Sequence, residues 1–215
     1  MQIELKQLVP IPLKDKLLQR VSDIWNTNVS FSSDQQIKIK APSGSGKTTF
    51  IHTLYKLRYD YAGDVLYNGI NIKNITDDDL ANIRKQKISI IFQDLRLFPN
   101  LTAGENIELN RVLQYPFHEK EKITEMAEKL GVTSILNQRA GLCSYGEQQR
   151  IAIIRALMQP FELLLMDEPF SHLDQENIHK ATALIQEECS KRKAGFILTD
   201  LDDDEHFKYS QTLNL

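Results

Sequence analysis

The 215-residue chain has few of the features that mark secreted, membrane-spanning or nucleic-acid-binding proteins. Its two cysteines, Cys143 and Cys189, lack the spacing of a disulfide framework or zinc site, which predicts free thiols. No apolar run approaches the roughly 18 residues that cross a bilayer, and the first residues form no apolar signal-peptide core. A net charge of -3 gives no basic surface for nucleic acid. We therefore expect a cytoplasmic protein with no membrane span and no nucleic-acid partner.

The chain has the composition of an ordinary globular protein, and its apolar residues form patterns typical of alternating strands and helices. Apolar residues make up 41% and charged residues 26% of the chain, enough for one hydrophobic core. Apolar runs predict strands at 37–39, 88–92, 163–166 and 196–199, with helical stripes at 50–57, 123–130, 151–157 and 178–189. Asn68-Gly69 between runs at 65–67 and 70–72 predicts a β-hairpin. The acidic run at 202–205 predicts an exposed helix start. The expected fold is α/β, with a parallel sheet and a small antiparallel β-region.

A glycine-rich segment at 41–49 stands between a predicted strand and a predicted helix, and reads Ala-Pro-Ser-Gly-Ser-Gly-Lys-Thr-Thr. In this context, small residues let successive backbone N–H groups surround phosphate at a helix N-terminus. We call this segment the phosphate loop. Lys47 is the predicted partner of the β- and γ-phosphates, and Thr48 is the predicted Mg²⁺ ligand. The predicted nucleotide-binding residues of the loop are Ser43, Gly44, Ser45, Gly46, Lys47, Thr48 and Thr49.

Two further motifs follow the phosphate loop in the chain. Residues 143–150, called the octet below, read Cys-Ser-Tyr-Gly-Glu-Gln-Gln-Arg. Residues 163–169 read Leu-Leu-Leu-Met-Asp-Glu-Pro, so Asp167 and Glu168 end a buried apolar strand. Adjacent carboxylates are costly there unless a cation or a ligand compensates. In this order the three motifs resemble the ATP-binding cassette family, the ATPase subunits of membrane transporters. The resemblance covers nearly the whole chain, and the short chain with its Glu-Gln-Gln-Arg ending is nearest to the lipoprotein-release and macrolide-export branch. The run Asp-Glu-Pro-Phe-Ser at 167–171 is more similar to the importers, so the direction of transport and the cargo stay open.

The resemblance implies a role for each matching residue. Asp167 matches the family's aspartate that binds Mg²⁺ through water, and Glu168 matches the catalytic glutamate that polarises the attacking water. Gln93, after an apolar strand, matches a glutamine that contacts both Mg²⁺ and water. Segment 171–174 matches a loop that crosses the dimer interface. Three octet residues match those that contact the γ-phosphate held by a partner cassette, namely Ser144, Gly146 and Gln148.

Four residues depart from the family pattern around these motifs. Ala41 replaces the first glycine of the phosphate loop, which would cost about 1 kcal/mol if that position needs positive φ. Tyr145 replaces a glycine, and His172 replaces a small residue. Asp200 stands where the family has a histidine against the γ-phosphate, and we count it with Glu168 and Gln93 among the catalytic candidates. Its carboxylate is expected to be turned away from the γ-phosphate, to be protonated, or to be neutralised by a cation. The acidic run that follows in the sequence favours the first alternative.

Other expectations concern side chains outside the matched roles. Cys143 near a helix start has two alternatives, a lowered thiol pKa or a buried, inert thiol, of which the second is favoured. No aromatic residue near 9–12 is available to stack on adenine, and Trp25 lies too close to the following strand for that role. The remaining histidines show no ligand spacing, and they are His52, His118, His179 and His206.

The resemblance as a whole implies one domain with a RecA-like P-loop core at about 1–94 and 156–215, and a helical subdomain at about 95–155. The implied cofactors are ATP and Mg²⁺, with Thr48, Gln93 and Asp167 as the metal set. The implied partners are a second cassette, in a homodimer or heterodimer, and separate transmembrane permease subunits. Through the permease, the chain would lie on the inner face of the cytoplasmic membrane. One alternative is a degenerate cassette that binds ATP and regulates a membrane complex with little turnover. A chromosome-maintenance ATPase is disfavoured because long heptad segments are absent.

Overall fold

The computed structural model describes residues 1–17, 21–113, 116–201 and 205–215, and their strands form two sheets of different kinds. The strands are β1 (Gln2–Pro10), β2 (Asn28–Ser32), β3 (Gln36–Lys40), β4 (Tyr61–Tyr67), β5 (Ile70–Asn71), β6 (Ile88–Ile91), β7 (Leu163–Asp167), β8 (Gly195–Asp200) and β9 (Gln211–Asn214). The α-helices are α1 (Lys14–Leu17), α2 (Lys47–Leu54), α3 (Asp77–Gln86), α4 (Ala103–Val112), α5 (Glu121–Lys129), α6 (Tyr145–Met158) and α7 (Gln175–Arg192). Of the acidic run predicted to start a helix, 202–204 lie outside the described residues, and Glu205 is exposed and non-helical.

The larger sheet is parallel and has the strand order β6-β7-β8-β3-β9. Its central strands are apolar runs buried on both faces, as parallel sheets require. Alternate residues of β7 and β8 enter two hydrophobic clusters. One cluster lies against α6 and α7, and the other lies against α2 and the smaller sheet. The predicted α/β class is confirmed.

The smaller sheet is antiparallel and has the order β2-β1-β4-β5. The predicted hairpin is present: Leu66 pairs with Asn71 and Tyr67 pairs with Ile70. Asn68 and Gly69 both have positive φ, at 49° and 80°, as a tight turn of two residues requires. The second strand is shorter than predicted, because the backbone turns into a 3₁₀ helix from Ile72.

Helix α2 also ends earlier than predicted, at Leu54 rather than Leu57. Lys56 takes a φ of 56°, its N–H donates to the carbonyl of Thr53, and the N–H of Leu57 donates to that of His52. This pair of bonds closes the helix in a left-handed cap, which local apolar spacing does not reveal.

The chain order places several strand ends at one edge of the parallel sheet. The register pairs Lys40 with Asp200 and Asp167 with Thr199. The phosphate loop follows β3, and Gln93 lies two residues beyond the end of β6. The carboxyl edge of such a sheet is where α/β proteins bind ligands. Helices α4, α5 and α6 occupy the interval between β6 and β7. Among the described helices, none combines the length and apolar character needed to span a bilayer.

Candidate active site

The phosphate loop turns sharply between β3 and α2 at two glycines. Gly44 has a φ of 73° and Gly46, the N-cap of α2, a φ of 105°. A Cβ at Gly46 would lie 2.8 Å from Leu13 Cδ1 and 3.3 Å from the Trp25 ring. Glycine is therefore required at Gly46 for conformation and for space. The loop presents its backbone N–H groups at the start of α2, which is the geometry that binds anions.

Ala41 fits the loop without the cost that a glycine-requiring position would impose. Its φ lies outside the left-handed region, so the penalty of about 1 kcal/mol does not arise. The side chain is fully buried, and the backbone N–H donates to the carbonyl of Asp200 at 3.0 Å. The replacement of the family glycine is therefore compatible with an intact loop.

Lys47 places a buried cation at the centre of the loop. Its side chain is 6% exposed, and Nζ lies 3.1 Å from Glu168 Oε1. Nζ also donates to the carbonyls of Ala41 at 3.0 Å and Pro42 at 3.4 Å. These contacts hold the Lys47 amino group at the point where a phosphate would meet the loop.

Gln93 joins Lys47's ion pair to the start of α2. Its Nε2 donates to Glu168 Oε2 at 3.1 Å, while its Oε1 accepts from the Thr48 hydroxyl at 3.2 Å. Four residues singled out from the sequence, from three separate segments, are thus linked side chain to side chain. They are Lys47, Thr48, Gln93 and Glu168.

Asp167 carries the strongest indication of a cation-binding position. It is fully buried, and its Oδ1 accepts from the Thr199 hydroxyl at 2.9 Å. Oδ2 has no hydrogen-bond partner among the described residues. Burial raises the pKa of Asp167, against the opposing effect of the Thr48 and Thr199 hydroxyls. An orphaned carboxylate oxygen beside Thr48 suits Mg²⁺, which binds one or two protein oxygens and completes its shell with water and substrate phosphate.

This oxygen set differs from a metal cage built entirely by the protein. No group of three or more His, Cys, Asp or Glu side chains that could hold a metal occurs in the part of the chain that the structure describes. The hydroxyl of Thr48, the amide oxygen of Gln93 and the carboxylate of Asp167 are oxygen donors of the kind that Mg²⁺ prefers, and they fit a magnesium ion that also binds phosphate.

Glu168 projects from a strained backbone. Its φ is 46°, a left-handed value that costs a non-glycine residue roughly 1–3 kcal/mol. Its N–H donates to the carbonyl of Thr199 at 3.0 Å, which extends the pairing of β7 with β8 by one residue. Such strain persists only where surrounding contacts enforce it, and it directs the carboxylate toward Lys47 and Gln93.

The octet forms the start of α6, away from the phosphate loop. Ser144 is the N-cap in a capping box with Glu147. Gln148 Nε2 donates to the carbonyl of Cys143 at 2.8 Å. A Cβ at Gly146 would lie 3.1 Å from the carbonyl oxygen of His172. Among the described residues, no hydrogen bond joins Ser144, Gly146 or Gln148 to the phosphate loop.

The two unusual side chains near the octet lie against each other. The rings of Tyr145 and His172 have centroids 4.2 Å apart in an edge-to-face arrangement, and Tyr145 is 46% exposed. Cys143 is buried, and burial together with Glu147 raises the pKa of its thiol. The alternative with a lowered pKa is therefore wrong. Cys143 and Cys189 are both free and buried, as predicted.

Asp200 ends β8 at the edge of the site. Its Oδ1 accepts from the N–H of Leu201 at 2.7 Å, and its carbonyl accepts from the N–H of Ala41. The backbone of Asp200 therefore borders the phosphate loop, while one carboxylate oxygen bonds to the turn that follows the strand.

Trp25 contributes to the site in a way that sequence reasoning missed. Its indole N–H donates to the carbonyl of Ser45 at 3.3 Å, and its ring packs edge-to-face on Phe50. The Trp25 side chain is 4% exposed, so its ring supports the phosphate loop by packing and has no open face on which adenine could stack. Thr199, the partner of Asp167, was also missed. The one signal for it was a hydroxyl at the end of an otherwise apolar strand.

One strand of the parallel sheet runs through a Gly-Lys-Thr loop into a helix, and carboxylates end a neighbouring strand. This arrangement defines the class of P-loop nucleotide-binding proteins with a RecA-like core. Residues 24–171 match the sequence pattern of the family described as "ABC transporter". The chain therefore belongs to the ATP-binding cassette family.

Two curated relatives show the extent of the similarity. The chain is 36% identical over 171 residues to the ABC transporter ATP-binding protein YxdL of Bacillus subtilis, a match spanning 74% of this chain and 66% of YxdL. It is 31% identical over 186 residues to the lipoprotein-releasing system ATP-binding protein LolD of Saccharophagus degradans, spanning 86% of this chain and 82% of LolD. The predicted resemblance to the family, including its lipoprotein-release branch, is confirmed.

A solved structure gives the same result for the fold. The ATP-binding cassette MJ0796, described as a dimer in a post-hydrolysis state bound to ADP and Pi, aligns with a TM-score of 0.78 and 26% identity. The alignment covers 93% of this chain and 88% of that one. The predicted RecA-like fold is confirmed.

Proposed function

We propose that this chain binds and hydrolyses MgATP in a dimer of cassettes and thereby drives separate membrane subunits. The observation that carries the proposal is the linked group of Lys47, Thr48, Gln93 and Glu168 around the phosphate loop, next to the orphaned oxygen of Asp167. Steady-state phosphate release by the purified chain tests it.

Each residue of the group has a defined task in this proposal. ATP phosphates displace the Glu168 carboxylate from Lys47, so that the ammonium binds the β- and γ-phosphates. Thr48, Gln93 and Asp167 would hold Mg²⁺, which would supply charge neutralisation on the phosphate oxygens. Glu168, released from Lys47, accepts a hydrogen bond from the attacking water and orients it in line with the γ-phosphate. Gln93 keeps contact with Glu168 and with the metal ligands throughout.

The octet serves a second nucleotide in this proposal. Ser144 and Gly146 lie at the N-terminus of α6, a favourable position for an anion. Gln148 secures this helix start through the carbonyl of Cys143. We propose that two copies of the chain pair head to tail, so that each octet covers the γ-phosphate held by the other copy. The description of MJ0796 as a dimer supports the pairing of two cassettes. Pairing with a different cassette is the alternative.

The membrane partners and the location follow from the same proposal. The helices between β6 and β7 form the helical subdomain at about 95–155, and the Gln93 segment connects it to the nucleotide. Permease subunits dock at this connection, which places the chain on the inner face of the cytoplasmic membrane. LolD, a relative from a lipoprotein-releasing system, supports this assignment.

A degenerate cassette that binds ATP without turnover is the second candidate, and Asp200 is the observation that favours it. β8 ends in Asp200 at the position where the family has a histidine, and Tyr145 adds bulk where the partner's γ-phosphate would approach. Measurable basal turnover in the purified chain excludes this candidate. MgATP binding without phosphate release, in the presence of the permease, supports it.

Replacing Asp200 with histidine is expected to raise basal turnover by about tenfold, because the imidazole supplies a hydrogen bond to the γ-phosphate and removes a negative charge. Phosphate release under saturating MgATP measures the change. Asp200→Asn removes the charge without adding an imidazole, so it separates the two causes. Wild-type turnover near 10 per second, with a loss in the histidine variant, would show instead that Asp200 has its own catalytic function.

Replacing Asp167 with asparagine is expected to stabilise the metal-free protein by about 1–2 kcal/mol, or roughly 2–8 °C in Tm, because an unpartnered buried carboxylate becomes neutral. Burial raises the folded-state pKa of Asp167 above its unfolded value, so ionisation opposes folding more as pH rises. The gap in Tm between variant and wild type therefore widens with pH. Thermal unfolding with and without MgATP measures both effects.

The same experiment separates a metal site from a simple buried charge. MgATP is expected to raise the Tm of wild type and to have little effect on Asp167→Asn. Asp78→Asn, which changes an exposed carboxylate on α3, is the matched control and should behave as wild type. An asparagine variant stabilised by MgATP as strongly as wild type would remove Asp167 from the metal site.

A further inference from the structure

Gln149 is a buried side chain that the proposed mechanism does not use. It lies in the second turn of α6, and it is 1% exposed. Its Nε2 donates to the carbonyl of Pro169 at 2.5 Å and approaches the carbonyl of Glu168 at 3.4 Å. Its Oε1 accepts from the N–H of His172 at 3.1 Å. One amide thus satisfies three backbone groups of the segment that immediately follows β7.

These contacts bear on the backbone that carries Glu168. Glu168 has a left-handed φ of 46°, which surrounding contacts must enforce. The N–H of Glu168 donates to the carbonyl of Thr199, and the side-chain amide of Gln149 donates to the carbonyls of Glu168 and Pro169. Together these bonds determine the direction in which the Glu168 side chain leaves the strand.

The same contacts join this segment to the start of α6. Gly146 packs against the carbonyl of His172 so closely that a Cβ would lie 3.1 Å from it. Gln149 is therefore the polar connection between segment 168–172 and the helix whose N-cap is Ser144. A shift of either element changes the hydrogen bonds of the other.

We propose that Gln149 is a positioning residue, which sets the orientation of Glu168 and couples it to the N-terminus of α6. The inference rests on the proposed function, since Glu168 acts on the nucleotide of its own chain and Ser144 on that of the partner copy. Gln149 touches neither nucleotide. Its loss is therefore expected to slow the chemical step while leaving ATP affinity nearly unchanged.

Gln159, at the C-terminal end of the same helix, provides a matched control. It is 8% exposed, its Nε2 donates to the carbonyls of Arg84 and Ile88 at 3.0 Å each, and its Oε1 accepts from Asn110 at 3.2 Å. Both glutamines thus use one buried amide to join α6 to backbone carbonyls. Only Gln149 bonds to the segment that carries Glu168.

The experiment compares Gln149→Met with Gln159→Met, which remove the same number of side-chain hydrogen bonds at similar volume. Thermal unfolding, kcat and the KM for ATP are measured for both variants. Both are expected to lose stability. Gln149→Met is expected to lose kcat by roughly 10- to 100-fold, with KM within about threefold of wild type. Gln159→Met should keep the kcat of wild type. If Gln149→Met does not fold, Gln149→Glu, which retains the acceptor for His172, replaces it with the same expectation.

The outcomes separate this inference from the function on which it rests. An unchanged kcat in the Gln149 variant, or an equal loss of kcat in both variants, would overturn the positioning role. A wild-type protein that binds ATP but shows no turnover, even with its permease, would overturn the proposed hydrolysis and this inference with it. A selective loss of kcat at Gln149 supports both.

Discussion

Alanine at Lys47 is expected to abolish measurable MgATP binding, with a loss of affinity on the order of 100-fold or more. The substitution removes the buried cation of the phosphate loop, and a charge-assisted hydrogen bond to phosphate contributes about 1.5–3 kcal/mol, where 1.4 kcal/mol is tenfold. Lys47 Nζ donates to the loop carbonyls of Ala41 and Pro42, and these bonds hold the ammonium within the phosphate loop. Titration with a fluorescent ATP analogue measures the change.

Lys56 gives this prediction a matched control. It is also 6% exposed, and its Nζ donates to the carbonyl of Ile75 at 2.9 Å beyond the opposite end of α2. Lys56→Ala is expected to cost stability while leaving ATP affinity at the wild-type value. Trp25, the chain's one tryptophan, bonds to the loop carbonyl of Ser45 and provides a second reporter in both proteins. Wild-type affinity in Lys47→Ala would remove Lys47 from the phosphate site.

Glutamine at Glu168 is expected to lower kcat by about 100- to 10,000-fold without loss of ATP binding, because an amide keeps the shape of the side chain but has no negative charge to polarise water. The change also frees Lys47 from its ion pair at 3.1 Å, which favours phosphate binding. The variant is therefore expected to hold ATP and to accumulate as a dimer. Phosphate release and the mass from light scattering with ATP measure the two effects.

Glu162→Gln is the control for Glu168→Gln. Glu162 lies just before the opposite end of β7 and pairs with the amino group of Met1 at the surface. Glu162→Gln should leave the turnover rate and the mass from light scattering at wild-type values. Turnover within a few-fold of wild type in Glu168→Gln would contradict the catalytic assignment. A variant that remains monomeric at high protein and ATP concentration would count against the ATP sandwich, the proposed head-to-tail dimer in which each nucleotide lies between one phosphate loop and the partner's octet.

The arrangement of strand ends could be predicted from the sequence because it depends on chain order and side-chain type. A strand that runs into Gly-Lys-Thr and a strand that ends in two carboxylates meet at the same edge of a parallel sheet. The linkage of Lys47 with Glu168 follows from this geometry once the strands pair.

The contacts that brace the site could not be predicted in the same way. Trp25 lies in a segment without any motif, and its bond to Ser45 depends on how β2 and its preceding loop pack on β3 and α2. Gln149 reads in the sequence as one more polar helix residue, since its three backbone partners are far away in the chain. The conformation of Ala41 also depends on its neighbours, because glycine replacement alone does not reveal φ. Long-range packing determines all three.

Mixing two inactive variants tests the shared site most directly. Lys47→Ala keeps an intact octet, and Ser144→Arg keeps an intact phosphate loop, so a mixed dimer contains one complete site. Phosphate release is measured for each variant alone and for an equal mixture, after thermal unfolding has shown that both are folded. The sandwich predicts turnover in the mixture at about a quarter of the wild-type rate, because about half of the dimers are mixed and each has one working site. Turnover in the mixture no higher than the sum of the separate variants would contradict a site formed between two copies of this chain.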